Sequence, residues 1–349
     1  MKNILQILPR PPGSRDGVGD YAQTLALRLE ECHGLKTTFA SVTKDDAIVP
    51  ANGEERHDFA ATILHYVNYG YDRRGIPHWL PRVLEHRSAG KLLTIFHELY
   101  AGGTWRQSAF WLRPLQKQIA RTIAEISGGA IVSSEPSRLQ LARLTTATPI
   151  FVHPVLSNFG EPDLASADFT ARDPHRWVIC GGSALLERSL RSFPAVLQLL
   201  DGPFAPRELF VFGGTNERRI RDLLPVRDGV TTHYHPEIEI EAASEILAGS
   251  AFGWIDYFSS AEVPTAAILK STAFAAFCAH GVIPILPHQG SSISLGDDVL
   301  PGPFFIAPNE EQLPTSSERG LIAASIYKWY QRHASSSHLA AAVAAALLP

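Results

Sequence analysis

The residues best suited to chemistry come directly after short apolar segments that have the length of buried strands. His97 and Glu98 follow the segment LLTIF. Such a titratable pair can serve as acid and base or can hydrogen-bond a substrate hydroxyl. A histidine that ends a strand is more often only hydrogen-bonded within the protein. Both interpretations stay open, and His97 and Glu98 are the candidate catalytic residues.

Lys270 is isolated from the other cations of the sequence. It is the one Lys or Arg between Arg227 and Arg319, and its neighbours are mostly apolar. Burying a lone cation is costly unless the cation meets an anion. Ser271 and Thr272 follow and can cap a helix, so this segment predicts a phosphate-binding site at the N-terminus of a helix. A lysine whose tip reaches solvent is the alternative.

A first glycine-bearing loop follows the first apolar segment. Gly17 and Gly19 precede a helix predicted from about residue 20 to 31, and Asp20 is a favourable N-cap for it. The helix start favours anionic groups. The segment GVGDYA lacks the third glycine of the dinucleotide-binding fingerprint. An ordinary capped turn therefore remains an alternative.

A second glycine-bearing loop has the sequence VICGGSALLERS. Gly182 and Ser183 offer backbone N–H donors, and Arg188 stands just before a helix predicted over 189–200. Exposed N–H groups and a guanidinium fork suit a diphosphate. An ordinary surface arginine is the alternative. Tyr100 and Trp105, with the nearby Phe110 and Trp111, can form a stacking wall or belong to a core or an interface.

The elements that position these residues alternate between strand-like and helix-like patterns, which is typical of parallel α/β sheets. Such sheets bind ligands at the carboxyl ends of their strands. A polar segment predicts a linker near 157–175. The predicted strands are 3–8, 61–67, 91–96, 129–133, 177–180, 208–212, 251–257 and 282–286, and the predicted helices are 20–31, 112–127, 189–200, 216–224, 238–248, 265–280 and 321–332.

Two Rossmann-like domains facing a cleft are therefore expected, over 1–160 and 170–320. Residues 321–349 form a helical segment that can cross back to the first domain. The length of 349 residues favours two domains, and 45% hydrophobic residues exclude wholesale disorder.

The net charge, the cysteines and the histidines narrow the range of partners and sites that the protein is expected to have. The net charge of -4 argues against a nucleic-acid partner. Three scattered cysteines argue against a disulfide framework and indicate a reducing compartment. The four histidines at 233, 235, 280 and 288 match no zinc spacing, so no metal is expected. The start lacks signal-peptide features, and no apolar run reaches about 18 residues. A cytoplasmic protein is expected, with peripheral membrane contact left open.

The four segments in this order resemble GT-B glycosyltransferases, particularly the retaining group called family 4. GVGDYA resembles the family's glycine-rich first loop, and FHE resembles its strand-end histidine motif. GGSALLERS resembles the GRLxxxKG segment, and AFAAFCAHGVIPIL resembles EAMACGxPVV. Fragments such as LKSTAFAAFCAHG are also similar to a divergent bacterial branch found with polysaccharide biosynthesis. The resemblance spans nearly the whole chain and is loose within each segment.

Two departures from the family pattern concern the donor site. If Gly281 is the motif glycine, the family's paired glutamates fall at Ile268 and Ala276, and both carboxylates are lost. The second of them usually holds the donor ribose, so that task is unassigned. In the GRLxxxKG segment, Gly182 or Ser183 stands where the family has arginine, and Arg188 replaces the lysine.

The resemblance implies metal-independent transfer of a sugar from a nucleotide-sugar donor, with retention following from the family alone and with no cofactor. The base, the sugar and the acceptor (sugar, lipid-linked, small-molecule or protein) stay open, as does the oligomeric state. A nucleotide-sugar epimerase or hydrolase, with Glu98 and Glu262 as candidate carboxylates, and a non-catalytic binding subunit are the alternatives. The expected donor-binding residues are Gly17, Gly19, Gly182, Ser183, Arg188, Glu262, Lys270, Ser271 and Thr272, and the expected acceptor-binding residues are Asp20, Tyr100 and Trp105.

Overall fold

The computed structural model describes residues 2–10, 17–42, 44, 48–50, 59–88, 90–102, 106, 108–199, 205–258, 263–287, 292–302, 304–307, 310–311, 314–315 and 317–347. Its strands are β1 (Lys2–Leu8), β2 (Leu35–Val42), β3 (Ile48–Pro50), β4 (Ala61–Tyr66), β5 (Lys91–Phe96), β6 (Gly129–Val132), β7 (Ile150–Val152), β8 (Arg176–Cys180), β9 (Glu208–Phe212), β10 (Thr231–His235), β11 (Phe252–Trp254), β12 (Ile283–Leu286), β13 (Ser294–Leu295), β14 (Asp298–Val299), β15 (Phe304–Ala307) and β16 (Glu310–Glu311).

Helices follow most of the parallel strands. The α-helices are α1 (Gly17–His33), α2 (Asn68–Tyr71), α3 (Leu80–Arg87), α4 (Ser108–Ile126), α5 (Glu135–Ala142), α6 (Ser183–Leu199), α7 (Arg218–Arg221), α8 (Ile240–Gly249), α9 (Thr272–Ala279), α10 (Arg319–His333) and α11 (Ser336–Leu347), and two 3-10 turns cover Phe169–Ala171 and Thr265–Lys270. Within the described residues, no helix has both the length and the apolar character needed to cross a membrane.

The first compact unit comprises Met1–Pro154 and Ser336–Pro349. Its sheet has the strand order β3-β2-β1-β4-β5-β6-β7, and all pairs are parallel except β2 with β3. The order reverses between β1 and β4. That switch point, at the carboxyl ends of the strands, is where doubly wound sheets bind ligands.

The second compact unit comprises Val155–Ser335. Its sheet has the order β10-β9-β8-β11-β12-β15-β16 and is parallel except for the β15–β16 pair. The switch point lies between β8 and β11. The central strands are fully buried, as expected for sheets covered by helices on both faces.

The structure divides the chain at other positions than the expected ones, which were 160/170 between the two domains and 321 for the start of the helical segment. The division falls between Pro154 and Val155, and only the last helix, α11, belongs to the first unit, where it packs on α1. The segment 157–175 is not a solvated linker. The backbone N–H groups of Ser157 and Leu164 donate to the hydroxyls of Tyr330 and Tyr327 on α10.

Several predicted helices and strands need correction. The helix predicted over 265–280 is a 3-10 turn and an α-helix separated by Ser271, whose extended backbone breaks the run. The helix predicted over 189–200 begins at Ser183, because Gly182 accepts its first intrahelical bonds. The helix predicted over 216–224 is a single turn, and strand 251–257 shortens to three residues. Strand β10 was not predicted, because this edge strand is only half-buried and shows no clear alternation.

Candidate functional site

The switch point of the first unit carries a buried row of three polar side chains, here called the histidine row: Gln6, His65 and His97. His65 Nε2 lies 2.7 Å from Gln6 Oε1, and His65 Nδ1 lies 3.1 Å from His97 Nε2. Gln6 and His65 are fully buried, whereas His97 is half-buried. Strand β1 supplies Gln6, β4 supplies His65, and His97 follows β5. Side chains from β1, from β4 and from the residue after β5 therefore meet on one face of the sheet, as the alternation of side chains along a strand allows.

Helix α1 packs against the histidine row. The ring of Tyr21 meets the ring of His97 edge-on, with centroids 4.9 Å apart, and that of His65 at 5.9 Å. Burial raises the pKa of the Tyr21 hydroxyl. The first turn of α1, with the predicted residues Gly17 and Gly19, thus lies beside His97. Asp20 is not the N-cap, because α1 already begins at Gly17.

Glu98 is exposed. Its charge acts on Tyr66, whose pKa is raised by burial and by the Glu98 carboxylate. Tyr66 follows His65 along β4, and successive side chains of a strand point to opposite faces. Among the described residues, the His65 side chain forms a hydrogen bond with the His97 ring, and the sequence analysis missed it. Its only signal in the sequence is a histidine inside an apolar strand.

The predicted aromatic wall is only partly described. Tyr100 is half-buried, and the Lys117 ammonium lies 5.0 Å from its ring centroid. Trp111 is 68% exposed, which excludes a core role for it. Its ring meets that of Phe110 edge-on. Trp105 lies outside the described residues.

The switch point of the second unit brings two helix N-termini together. Helix α6 begins at Ser183, directly after Gly181 and Gly182, and α9 begins at Thr272. A Cβ built on Gly181 would lie 3.5 Å from the Cβ of Ala273, in the first turn of α9. The N-terminal ends of both helices therefore reach one place, where their N–H groups and dipoles favour an anion.

Two further glycines shape the same place and were not singled out from the sequence. Gly213 has a φ of +92°, and a Cβ there would lie 2.6 Å from the carbonyl oxygen of Gly181. A Cβ on Gly214 would lie 2.8 Å from Ser183 Oγ. That hydroxyl accepts a hydrogen bond from Thr215 N at 3.1 Å. The two loops thus interlock through backbone contacts that only glycine permits.

The predicted cations take different positions around this site. Lys270 is exposed at the end of the 3-10 turn, and Ser271 caps α9 by accepting from Phe274 N at 3.3 Å. Arg188 lies in the second turn of α6, not at its start, and its Nε donates to the carbonyl oxygen of Asp256 at 2.5 Å. Glu262 lies outside the described residues.

The remaining histidines and cysteines singled out from the sequence show no metal geometry where they are described. Arg191, a second arginine of α6, pairs with Glu187 on the surface of the helix at 2.7 Å. His280 is buried between Ser244 Oγ and the Ala276 carbonyl, each 2.8 Å from a ring nitrogen. The described part of the chain holds no group of three or more His, Cys, Asp or Glu residues with metal-binding geometry. Cys32 is exposed, Cys180 and Cys278 are buried, and all three are free thiols.

Several solved structures share this architecture over their full length. A sucrose-phosphate synthase from Thermosynechococcus elongatus matches with a TM-score of 0.60 and 13% identity, covering 99% of this chain and 98% of the other. An alpha-glucosyltransferase in complex with UDP and a 13-mer DNA matches with a TM-score of 0.58 and 10% identity, covering 99% of both. A glycosyltransferase involved in avilamycin A biosynthesis matches with a TM-score of 0.57 and 14% identity, covering 99% and 97%.

No family model and no curated protein sequence matches the chain. The structural likenesses cover both α/β units together and confirm the predicted GT-B fold. At such low identity they show the fold alone. The family 4 group, the common cleft and the roles of the individual residues stay predictions.

Proposed function

We propose that the protein transfers a sugar from a nucleotide-sugar donor to an acceptor. The observation that carries this proposal is the meeting of two helix N-termini at the switch point of the second sheet, beside Gly181 and Gly182. Such a site suits a diphosphate, which is the leaving group of a nucleotide sugar. The GT-B fold adds support, because its solved neighbours named above include two glycosyltransferases and a sucrose-phosphate synthase.

The donor diphosphate is assigned to the second unit. Backbone N–H groups of Gly182 and Ser183 and the first turn of α9 would hold its oxygens, and Lys270 would add a mobile positive charge. Arg188 adds positive charge close to the end of β11. These groups can neutralise a leaving diphosphate, so the transfer is proposed to need no metal ion. Retention of configuration rests on the resemblance to the family.

The acceptor is assigned to the edge of the first sheet, where His97 lies. A half-buried imidazole there can hydrogen-bond a hydroxyl of the acceptor. Gly17 and Gly19 add no side chains to the first turn of α1, which also contains Val18 and Asp20. The acceptor class stays open, and it now includes nucleic acid, because one alpha-glucosyltransferase of this fold was solved with DNA.

A second candidate function is non-catalytic binding of a sugar nucleotide. It is favoured by Ile268 and Ala276, which are buried apolar residues at the positions where the family has its paired glutamates. A binding subunit would keep the anion site and lose turnover. An epimerase or hydrolase would need carboxylates at the site, for which Glu98 and Glu262 were the candidates; Glu98 is exposed and acts on Tyr66, and Glu262 lies outside the described residues.

The test is a two-stage measurement on the full chain. UDP- and GDP-sugars are first screened by thermal shift, because a ligand at 100 times its Kd stabilises the folded state by about 2.7 kcal/mol. The stabilising donor is then incubated with candidate acceptors, and release of the nucleoside diphosphate and glycosylated product are measured with and without EDTA. Stabilisation without turnover supports the binding subunit. No stabilisation by any nucleotide sugar refutes the proposal.

A further inference from the structure

The histidine row contains a fixed pattern of donors and acceptors. Gln6 is oriented with its amide oxygen Oε1 toward His65, and an amide oxygen can only accept, so in this assigned orientation the hydrogen between them lies on His65 Nε2. The Gln6 amide nitrogen lies on the other side, 3.4 Å from Thr37 Oγ1, to which it can donate. Both Gln6 and His65 are fully buried, so water does not compete for these bonds.

His65 is neutral under ordinary conditions. Burial and the neighbouring His97 hold the pKa of His65 well below its usual range. Among the described residues, the titratable groups that face its ring are His97 after β5 and Tyr21 on α1. The Tyr71 hydroxyl donates to the His65 backbone carbonyl at 3.0 Å and does not reach the ring nitrogens that form the row. A neutral His65 with its hydrogen on Nε2 has a lone pair on Nδ1.

That lone pair dictates the state of His97. His65 Nδ1 lies 3.1 Å from His97 Nε2, and two lone pairs at this distance in a buried site would repel. His97 Nε2 must therefore carry a hydrogen and donate it to His65. In neutral His97 the remaining nitrogen, Nδ1, then bears the lone pair.

We propose that Gln6 and His65 are positioning residues that fix the tautomer of neutral His97, with the hydrogen on Nε2 and the lone pair on Nδ1. The tautomer concerns the protein alone, whereas its effect on turnover rests on the proposed function. A histidine free to exchange tautomers would present a donor in part of the molecules. Fixing the proton on Nε2 gives one chemical role, as the orienting partners of other functional histidines do.

The direct test is the ring nitrogen spectrum of the full chain with 15N-labelled histidine, at a pH where the rings are neutral. His97→Asn and His65→Asn assign the signals. We expect His97 to show a protonated Nε2 and an unprotonated Nδ1. Thr94→Val is the matched control, because Thr94 is a buried, hydrogen-bonded residue on β5 that points to the opposite face and bonds Ser127. The opposite tautomer, or an equal mixture, in the native protein overturns the proposal.

Gln6→Glu tests the dependence of the row on Gln6. A carboxylate at this place stabilises protonated His65, whose Nδ1 then becomes a donor toward His97. His97 must accept through Nε2 and carry its hydrogen on Nδ1, so its nitrogen pattern inverts at pH values where His65 is protonated. In the same variant, the fall in turnover on the acid side of the pH profile should begin at a higher pH than in the native protein. An unchanged His97 pattern while the His65 signals show protonation overturns the proposal.

Kinetics then separate positioning from folding. His65→Leu removes the acceptor and should lower kcat about tenfold or more with little change in donor KM. His65→Asn keeps an oxygen acceptor near the place of Nδ1 and should restore most of the loss. If Leu and Asn variants that fold equally well turn over equally, the positioning role is refuted. A native protein that shows the expected tautomer but no turnover with any donor contradicts the proposed function instead.

Discussion

Replacing Lys270 by alanine tests the assignment of the donor diphosphate to the second unit. Lys270 ends a 3-10 turn and is exposed, one residue before the cap of α9. Its ammonium therefore keeps its water until an anion arrives, and it can swing toward a diphosphate at the N-terminus of α9. The change removes this positive charge and leaves the backbone of both helix starts in place.

The size of the effect follows from this exposure. A hydrogen bond to a charged group contributes about 1.5–3 kcal/mol, and we expect the lower end because the ammonium remains partly in water. A loss of about 1.5 kcal/mol of binding free energy raises the Kd about tenfold. The N–H groups at the starts of α6 and α9 still attract the anion, so binding should be weakened and not abolished. The melting temperature of the free protein should not change.

Isothermal titration calorimetry with UDP and GDP measures the effect. Lys328→Ala is the matched control, because Lys328 is an exposed lysine on α10 of the same unit. The loss for Lys270→Ala should shrink at high salt, where the native ammonium is already screened. If Lys270→Ala binds nucleoside diphosphates as tightly as the native protein at low salt, Lys270 does not belong to the donor site.

Four further outcomes are expected. Ser271→Ala removes the α9 cap and should lower the free energy of unfolding by about 1 kcal/mol in a urea titration. Gly213→Ala places a methyl group 2.6 Å from the Gly181 oxygen, at a φ of +92°, and should lower the free energy of unfolding by about 1–3 kcal/mol. Gly182→Ala is the comparison: its methyl group meets nothing within 4 Å and should leave the free energy of unfolding unchanged. Burial lowers the pKa of His280 to about 4, so stability should fall as the pH drops from about 6.5 toward 4, and His280→Gln should flatten that slope in pH-dependent denaturation. Turnover should survive EDTA, and activity regained only with magnesium or manganese would contradict metal-independent transfer.

The sequence predicts the sheet positions of the candidate residues well. Runs such as Lys91–Phe96 and Glu208–Phe212 are apolar and short, and the structure gives these two strands the predicted bounds. Because parallel strands share one carboxyl edge, His97 and Gly182 could be placed at sheet edges from their positions alone. The local signals were sufficient wherever a residue directly follows a strand.

The sequence could not predict the partners of His97. Gln6, His65 and His97 lie on three different segments, and they meet because β1 lies between β2 and β4 while β5 follows on the other side. Strand order depends on packing over the whole sheet, and alternating patterns within one strand do not encode it. Glu98, the neighbour in sequence, was the natural candidate for orienting His97, whereas the His97 ring hydrogen-bonds His65, 32 residues away.

In this protein, the position that family 4 fills with its second glutamate lies in the buried part of α9. Seven of its eight residues are buried, from Ala273 to Ala279, and Ala276 is fully buried among apolar side chains. A carboxylate at this position would need a partner for its charge, which an apolar environment does not supply. Lys270, Ser271 and Thr272 place polar groups at the start of this helix and just before it, where the helix dipole favours anions. Under the proposed function, such a site would recognise the phosphates of a donor more strongly than its ribose. We therefore expect UDP and the corresponding 2′-deoxy nucleotide to bind this protein with similar affinity, and a preference of tenfold or more for UDP in calorimetry would show that another carboxylate holds the ribose.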